Sequence, residues 1–392
     1  MSNYLFTSGT ARGGTNLRAQ ILSVNKDIRL ASDPFLPLFR EFRNAIIEHT
    51  DDVEVRAALD PNSPLDDYYF SPVKLRMMKY VQESDLDLSF DNERWTALEQ
   101  SLVKRTSLAS ADLVPYLKLL PGLSFREVFK HAVHIIKKAR HAERCKWVGF
   151  NDNWAVEFFA PLARAFPDAR FMIHVRDPRG AIDGALHAES DPLKIPHLIS
   201  FAKHWRKYVA FMVQYCRNPL FEKRLLVTSY EPIVIKTEEH VKEMTDFLGV
   251  EFDAAMLDTA NFRLATGDDW PVSWDIYQAS IEMWKTRLPE YVIEVIEFIC
   301  DPEMRLLGYS PVKYSPGSRL SDDAIAFILK DARECVGWRT DFRQAEKDIG
   351  VELFRKNLLN TREIEVEDEI IERCFLFREL YNSVRGLTSA GG

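Results

Sequence analysis

A short apolar run at residues 4–7 passes through Ser8-Gly9-Thr10-Ala11-Arg12-Gly13-Gly14 into residues 15–24, where Leu17, Ile21 and Leu22 keep helical spacing. A buried strand that turns through glycines into a helix is the repeating unit of an open parallel sheet. The unit recurs. Apolar runs at 28–31, 146–150, 171–175 and 225–228 read as four further strands. Helical patterns over 156–166, from about 180, and over 238–248 follow three of them. The expected fold is α/β, a P-loop-like three-layer arrangement with a central parallel sheet. Two regions break the alternation. Residues 50–145 are charged and helical in pattern, and read as an insertion beside the sheet. Residues 315–392 read as a helical C-terminal extension after a linker at 314–320, so the main domain is expected over 1–314.

The turn after the first strand is the strongest local signal. Small residues there let backbone N–H groups approach an anion closely, and the helix starting near Thr15 adds its positive end. Thr15 and Asn16 supply side-chain donors and Arg12 a fixed charge. Gly9 and Gly14 have the spacing of a nucleoside-triphosphate P-loop, but Thr15 and Asn16 stand where that loop needs Lys and Ser/Thr. A cation inside the loop suits an anion that needs no metal. The same residues also fit a glycine-rich turn with no ligand. A second signal is the apolar strand 171–175 running into Arg176-Asp177-Pro178-Arg179-Gly180. Charged residues at the carboxyl ends of strands are where open α/β sheets bind ligands, although a surface Arg–Asp pair fits this segment as well. Two anion sites on one sheet point to a nucleotide phosphorylated at two places, such as 3′-phosphoadenosine 5′-phosphosulfate (PAPS).

Composition sets limits on the class. Net charge is −8, which argues against nucleic acid or another highly anionic polymer as the main partner. The five cysteines, Cys145, Cys216, Cys300, Cys335 and Cys374, are scattered and form no CxxC pair, so neither a zinc site nor a disulfide framework is expected. No basic leader or 18-residue apolar run occurs, and a strand starting by Tyr4 leaves no room for a membrane stem. A cytoplasmic protein is the expectation.

These motifs resemble the PAPS-dependent sulfotransferases, above all the tyrosylprotein branch and bacterial relatives. The family loop R-S-G-T-T is matched by Arg12-Gly13-Gly14-Thr15-Asn16, and its strand-then-R-D-P-R segment by Arg176-Asp177-Pro178-Arg179. Ser229-Tyr230-Glu231-Pro232, Phe247-Leu248-Gly249-Val250, Trp284 and Leu307-Gly308-Tyr309 resemble later family segments. The likeness covers roughly 4–50 and 146–310. It implies PAPS as co-substrate, adenosine 3′,5′-bisphosphate as product, no metal, and an acceptor that is a small-molecule, carbohydrate or peptide hydroxyl. It also implies a carboxylate base after the second strand, which falls on Asp33; Asp33 before Pro34 equally suits a helix cap. Asp152 is the second candidate base. Arg176 would hold the 3′-phosphate, and Tyr230 would lie near the adenine or simply fill a strand end. Two positions depart from the family. Gly184 stands where the family has a 3′-phosphate serine, and Asn151 where the tyrosyl branch has a catalytic lysine, so Arg12 carries more of the charge. Those departures keep open a non-catalytic bisphosphate binder; a P-loop kinase is the remote alternative. The basic stretch 130–146 reads as a solvated helix face, and His174 as a hydrogen-bonded core residue.

Overall fold

The computed structural model describes residues 3–62, 68–89, 92–120, 124–187, 198–262, 276–334, 345–360 and 366–389. Its core is β1 (Asn3–Gly9), β2 (Ile28–Ser32), β3 (Trp147–Asn151), β4 (Arg170–Val175) and β5 (Leu225–Ser229). They form one parallel sheet in the order β2-β3-β1-β4-β5. β1 pairs with β3 from Asn3↔Trp147 and with β4 from Leu5↔Arg170.

Strand side chains alternate between two faces, and each face builds its own core. Leu5, Ile28, Leu30, Trp147 and Met172 pack with Leu17, Ile21 and Leu22 of α1 (Thr15–Val24). Val234 of α10 (Tyr230–Ile235) and Val241, Met244 and Leu248 of α11 (Thr237–Leu248) join the same cluster. Phe6, Ala31, Phe150, Phe171 and Ile173 point the other way. They meet α2 (Leu36–Glu48), α6 (Phe125–Ala139), α7 (Phe159–Ala165) and α9 (Leu198–Arg217). Three layers result, and each fully buried aromatic or aliphatic side chain contributes about 1.5–3 kcal/mol.

The insertion after α2 consists of α3 (Val53–Ala57), α4 (Pro72–Glu83), α5 (Asn92–Ala109), a 3-10 segment (Ala111–Leu119) and α6. It joins the larger core through Leu75, Met78, Leu102 and Leu113. After β4 comes α8 (Pro178–Leu186). After α11 come α12 (Trp284–Arg287), α13 (Glu290–Cys300) and α14 (Glu303–Leu306). The C-terminal helices are α15 (Asp322–Glu334), α16 (Ala345–Asn360), α17 (Asp368–Phe375) and α18 (Arg378–Ser389). Their Ile328, Leu359, Ile371 and Leu380 lie in the same core as the sheet.

Local expectations need three adjustments. The helix read over 156–166 is a 3-10 turn, Ala155–Phe158, followed by α7. Tyr230 opens a helix rather than ending a strand, because Pro232 falls in a first turn, where its missing N–H costs nothing. The connection at 314–320 is anchored at both ends: Tyr314 and Leu320 are buried, and the Tyr314 amide donates to Glu297 at 2.8 Å. Among the described residues no helix is long and apolar enough to cross a membrane. Cys145, Cys216, Cys300 and Cys374 are free thiols, and Cys335 lies outside the described residues.

Candidate functional site

The carboxyl ends of all five strands meet at one edge of the sheet. The loop from β1 to α1 crosses the centre of that edge. Thr10 N–H donates to the His174 carbonyl at 3.1 Å and Gly13 N–H to the Thr10 carbonyl at 2.9 Å. Arg12 and Gly14 both take left-handed backbone, with φ of 57° and 88°. At Gly14 a Cβ would stand 2.3 Å from the Tyr230 ring, so only glycine fits. Arg12 is exposed at the tip of the turn.

The start of α1 is tied to the end of β3. Thr15 Oγ1 donates to Asn153 Oδ1 at 3.1 Å, and Asn151 Nδ2 donates to Asn16 Oδ1 at 3.2 Å. Asn151 is fully enclosed, and its Oδ1 accepts from Thr7 Oγ1 at 3.0 Å and from Arg18 Nη2 at 3.1 Å. Its amide is therefore committed beneath the loop and does not stand as a free donor at the surface of the site.

Asp33, at the end of β2, has φ of 47°. Its Oδ1 accepts from the Asn153 amide at 3.1 Å, and α2 takes no side-chain cap. The carboxylate thus faces the β3–α1 junction rather than its own helix. Asp152, at the end of β3, is buried; its Oδ1 accepts from the Trp154 amide at 2.9 Å and its Oδ2 has no hydrogen bond among the described residues. Burial, and then the charge of Asp33, push the Asp152 carboxyl up to about 7. Asp33 is also raised by burial, opposed by Arg105 and the Asn153 amide.

Arg105 comes from α5, and side chains of α5 and of Ser110 just after it clamp the backbone around Asp33. Arg105 Nε donates to the Asp33 carbonyl at 3.1 Å, Thr106 Oγ1 to the Pro34 carbonyl at 3.2 Å, and Ser110 Oγ to the Ser32 carbonyl at 3.0 Å. Sequence reading missed Arg105, and it missed Arg18 and Asn153; nothing in their local spacing marks them, since their partners lie far along the chain.

On the other side of the loop, Arg176 directly follows β4. Its Nη1 donates to the Arg12 carbonyl at 3.1 Å and its Nη2 to the Ser280 carbonyl at 2.8 Å. Its guanidinium lies 4.1 Å from the centre of the Tyr230 ring. Tyr230 is buried between Arg176 and Gly14, with its hydroxyl 2.7 Å from Ser280 Oγ. Gly184 on α8 borders both arginines: a Cβ there would lie 3.6 Å from Arg12 Cβ and 4.0 Å from Arg176 Nη1.

The rest of the motif is scaffold. Asp177 caps α8 and pairs with Arg179 at 2.6 Å. Arg179 also pairs with Glu297 at 2.7 Å and lies 4.0 Å from the Trp284 ring centre. Glu231 accepts from the Asp177 amide at 2.9 Å and from the Tyr309 hydroxyl at 2.8 Å, which joins three sequence-distant motifs. His174 is buried with Nδ1 2.8 Å from Thr228 Oγ1. Burial and the charges of Arg18 and Arg176 hold it well below the usual histidine range. The basic stretch on α6 lines a groove of about 370 Å³ with Tyr4. Tyr4 begins β1, so that groove opens near the amino end of the sheet, away from the loop.

Loop, paired arginines and paired carboxylates are the elements of a site for a multiply charged anion beside a proton acceptor. The sulfotransferase family, as a sequence model, matches residues 5–254. Protein-tyrosine sulfotransferase A of Caenorhabditis elegans is 22% identical over 204 residues, covering 50% of this chain and 53% of that protein. Carbohydrate sulfotransferase 3 of Tetronarce californica is 24% identical over 183 residues, 40% of each. The chain spans about half the length of the curated relatives it matches. A solved sulfotransferase domain from the Synechococcus PCC 7002 olefin synthase aligns over 79% of this chain and 95% of that one, at 14% identity and a TM-score of 0.47. The family match extends from β1 through β5 and covers more than half of the 392 residues: the chain belongs to the sulfotransferase family.

Proposed function

We propose that the chain moves a sulfuryl group from PAPS to a hydroxyl-type acceptor by in-line displacement at sulfur, with no metal in the step. One observation carries the reading: a single sheet edge brings the β1–α1 anion loop, Arg176 beside it, and the Asp33–Asp152 pair together. The Gly14 amide, the amides of Thr15 and Asn16 at the start of α1, and Arg12 suit the 5′-phosphosulfate. Arg176 suits the 3′-phosphate, with Gly184 leaving room beside it and Tyr230 setting the wall. The acceptor oxygen attacks sulfur, the bond from sulfur to the bridging oxygen breaks, and adenosine 3′,5′-bisphosphate leaves. Asp33 takes the acceptor proton, a step that contributes about 10²–10⁴-fold; Asp152 is the alternative acceptor. Relatives named for protein tyrosine and for carbohydrate both act on molecules that bear hydroxyls, which supports this acceptor class.

The first test is binding. Adenosine 3′,5′-bisphosphate should raise the melting temperature by mass action, with EDTA making no difference. A shift that needs Mg²⁺ and ATP instead would sink the reading in favour of a kinase. Transfer of labelled sulfate from PAPS to a phenol then separates enzyme from binder. Asp33→Asn keeps the bond from Asn153 and tolerates the left-handed backbone. It should leave bisphosphate affinity unchanged and lower turnover by about two orders of magnitude.

A further inference from the structure

Arg18, in the first turns of α1, is fully buried. Its Nη2 donates to Asn151 Oδ1 at 3.1 Å and reaches the Ser8 carbonyl at 3.5 Å, and its Nη1 reaches Thr228 Oγ1 at 3.5 Å. Its Nε has no hydrogen bond among the described residues. Those three partners lie at the carboxyl ends of β3, β1 and β5, so the guanidinium lies under the sheet edge that carries the anion loop. Every acceptor it has is neutral. Three other deeply buried arginines have carboxylates: Arg179 has Asp177 and Glu297, Arg206 has Glu352, and Arg355 has Glu303. Arg18 has none among the described residues, and burial alone, with no acidic neighbour, lowers its pKa to about 9, which leaves it cationic at neutral pH. A buried charge without a partner is costly to a fold.

We propose that Arg18 is a positioning residue whose countercharge is the ligand: the anion held by the loop at Gly9–Asn16 completes a pair the protein leaves open. The proposal rests on the donor reading above, which makes that anion the 5′-phosphosulfate. Two effects follow from the contacts. Arg18 and Thr7 occupy Asn151 Oδ1, which turns Asn151 Nδ2 toward Asn16 Oδ1. With its oxygen taken, Asn16 is left with its amide N–H₂ as the end available to an anion. Arg18 also supplies positive charge behind position 151, where the side chain is neutral.

The test compares wild type, Arg18→Met and Arg18→Lys by calorimetry and thermal melting. The probes are adenosine 3′,5′-bisphosphate, adenosine 3′-monophosphate and inorganic sulfate. The unliganded methionine variant should melt at or above wild type, because an unpaired buried charge has been removed. Its affinity for the bisphosphate should fall about ten- to a hundredfold, the loss expected of a charge-assisted contact. Affinity for the 3′-monophosphate, which lacks the 5′ group, should change less than about twofold, and the lysine variant should recover part of the loss. A methionine variant that melts several degrees lower, or fails to fold, while the lysine variant keeps the full preference for the bisphosphate would make Arg18 an ordinary structural residue and overturn the proposal. Failure of wild type to prefer the bisphosphate would instead sink the donor reading. In that event the sulfate-induced melting shift decides for Arg18: loss of the shift in the methionine variant supports the open pair, and an equal shift removes it.

Discussion

Arg12 and Asp33 share a backbone oddity, a positive φ that costs a non-glycine residue of order 1–3 kcal/mol. At Arg12 the turn lets the loop close while its carbonyl accepts from Arg176. At Asp33 the turn aims the carboxylate at Asn153 instead of down α2. Gly184 carries the opposite kind of cost, a helix-interior glycine worth about 0.5–1 kcal/mol against alanine. The space above it is lined by Arg12 and Arg176 at ordinary contact distances. Gly184→Ser should therefore fit, stabilise α8 slightly, and place a hydroxyl between the two arginines. Bisphosphate affinity should rise about tenfold, as a hydrogen bond to a charged group allows, and calorimetry against plain AMP would locate the gain. Unchanged affinity would place the 3′-phosphate away from α8.

At the scale of elements, the insertion reaches the Asp33–Asp152 pair through α5. Arg105 lowers the proton affinity of both Asp33 and Asp152. A carboxylate must be ionised to accept a proton, and burial raises the Asp33 carboxyl, so turnover should rise with pH above the ordinary carboxylate range and level off once Asp33 is ionised. Arg105→Met removes a positive charge, raises both carboxyls, and should move that rising limb to higher pH while leaving bisphosphate affinity unchanged. A limb that does not move would deny Arg105 its electrostatic part. The insertion read from sequence as a charged appendage, because charge patterning shows which faces are wet and not which backbone a side chain will reach. Strand reading worked better for a related reason. Strands buried on both faces are continuous apolar runs, so all five could be found. The runs at 4–7, 28–31 and 225–228 stop short of Gly9, Ser32 and Ser229. Strand β3 likewise runs on through Asn151. The polar carboxyl ends that build the site look like loop. Loop, Arg176 and Asp33 were legible because each follows a strand; Arg18 was not, because a cation inside a helix reads as a solvent-facing residue.

Across the whole molecule, the C-terminal helices are held to the sheet domain by buried charge as well as by apolar packing. Arg206 of α9 lies 3.4 Å from Glu303 and 2.5 Å from Glu352 of α16. Arg355 pairs with Glu303 and lies 3.4 Å from Glu352. Its Nε and Nη1 donate to the carbonyls of Cys374 and Asp301 at 3.2 and 2.9 Å. Arg355→Ala leaves two enclosed carboxylates facing one arginine and should cost about 3–5 kcal/mol in denaturant unfolding. Arg373→Ala, which breaks an exposed pair with Glu369, should cost about 0.2–1 kcal/mol. Equal effects would mean that the enclosed cluster does not hold the extension.

The pairing of β1 has a consequence for how the chain is made. Its two neighbours begin at Trp147 and Arg170, so both of its edges stay open while the intervening residues leave the ribosome. At about 5–20 residues per second that wait is on the order of ten seconds. Arg206 waits longer still, since Glu303 and Glu352 are synthesised after it. Until β3 and β4 arrive the edges of β1 stay unpaired, and the loop after β1 takes its folded place against His174 and Tyr230 only once the chain as far as Tyr230 has followed it.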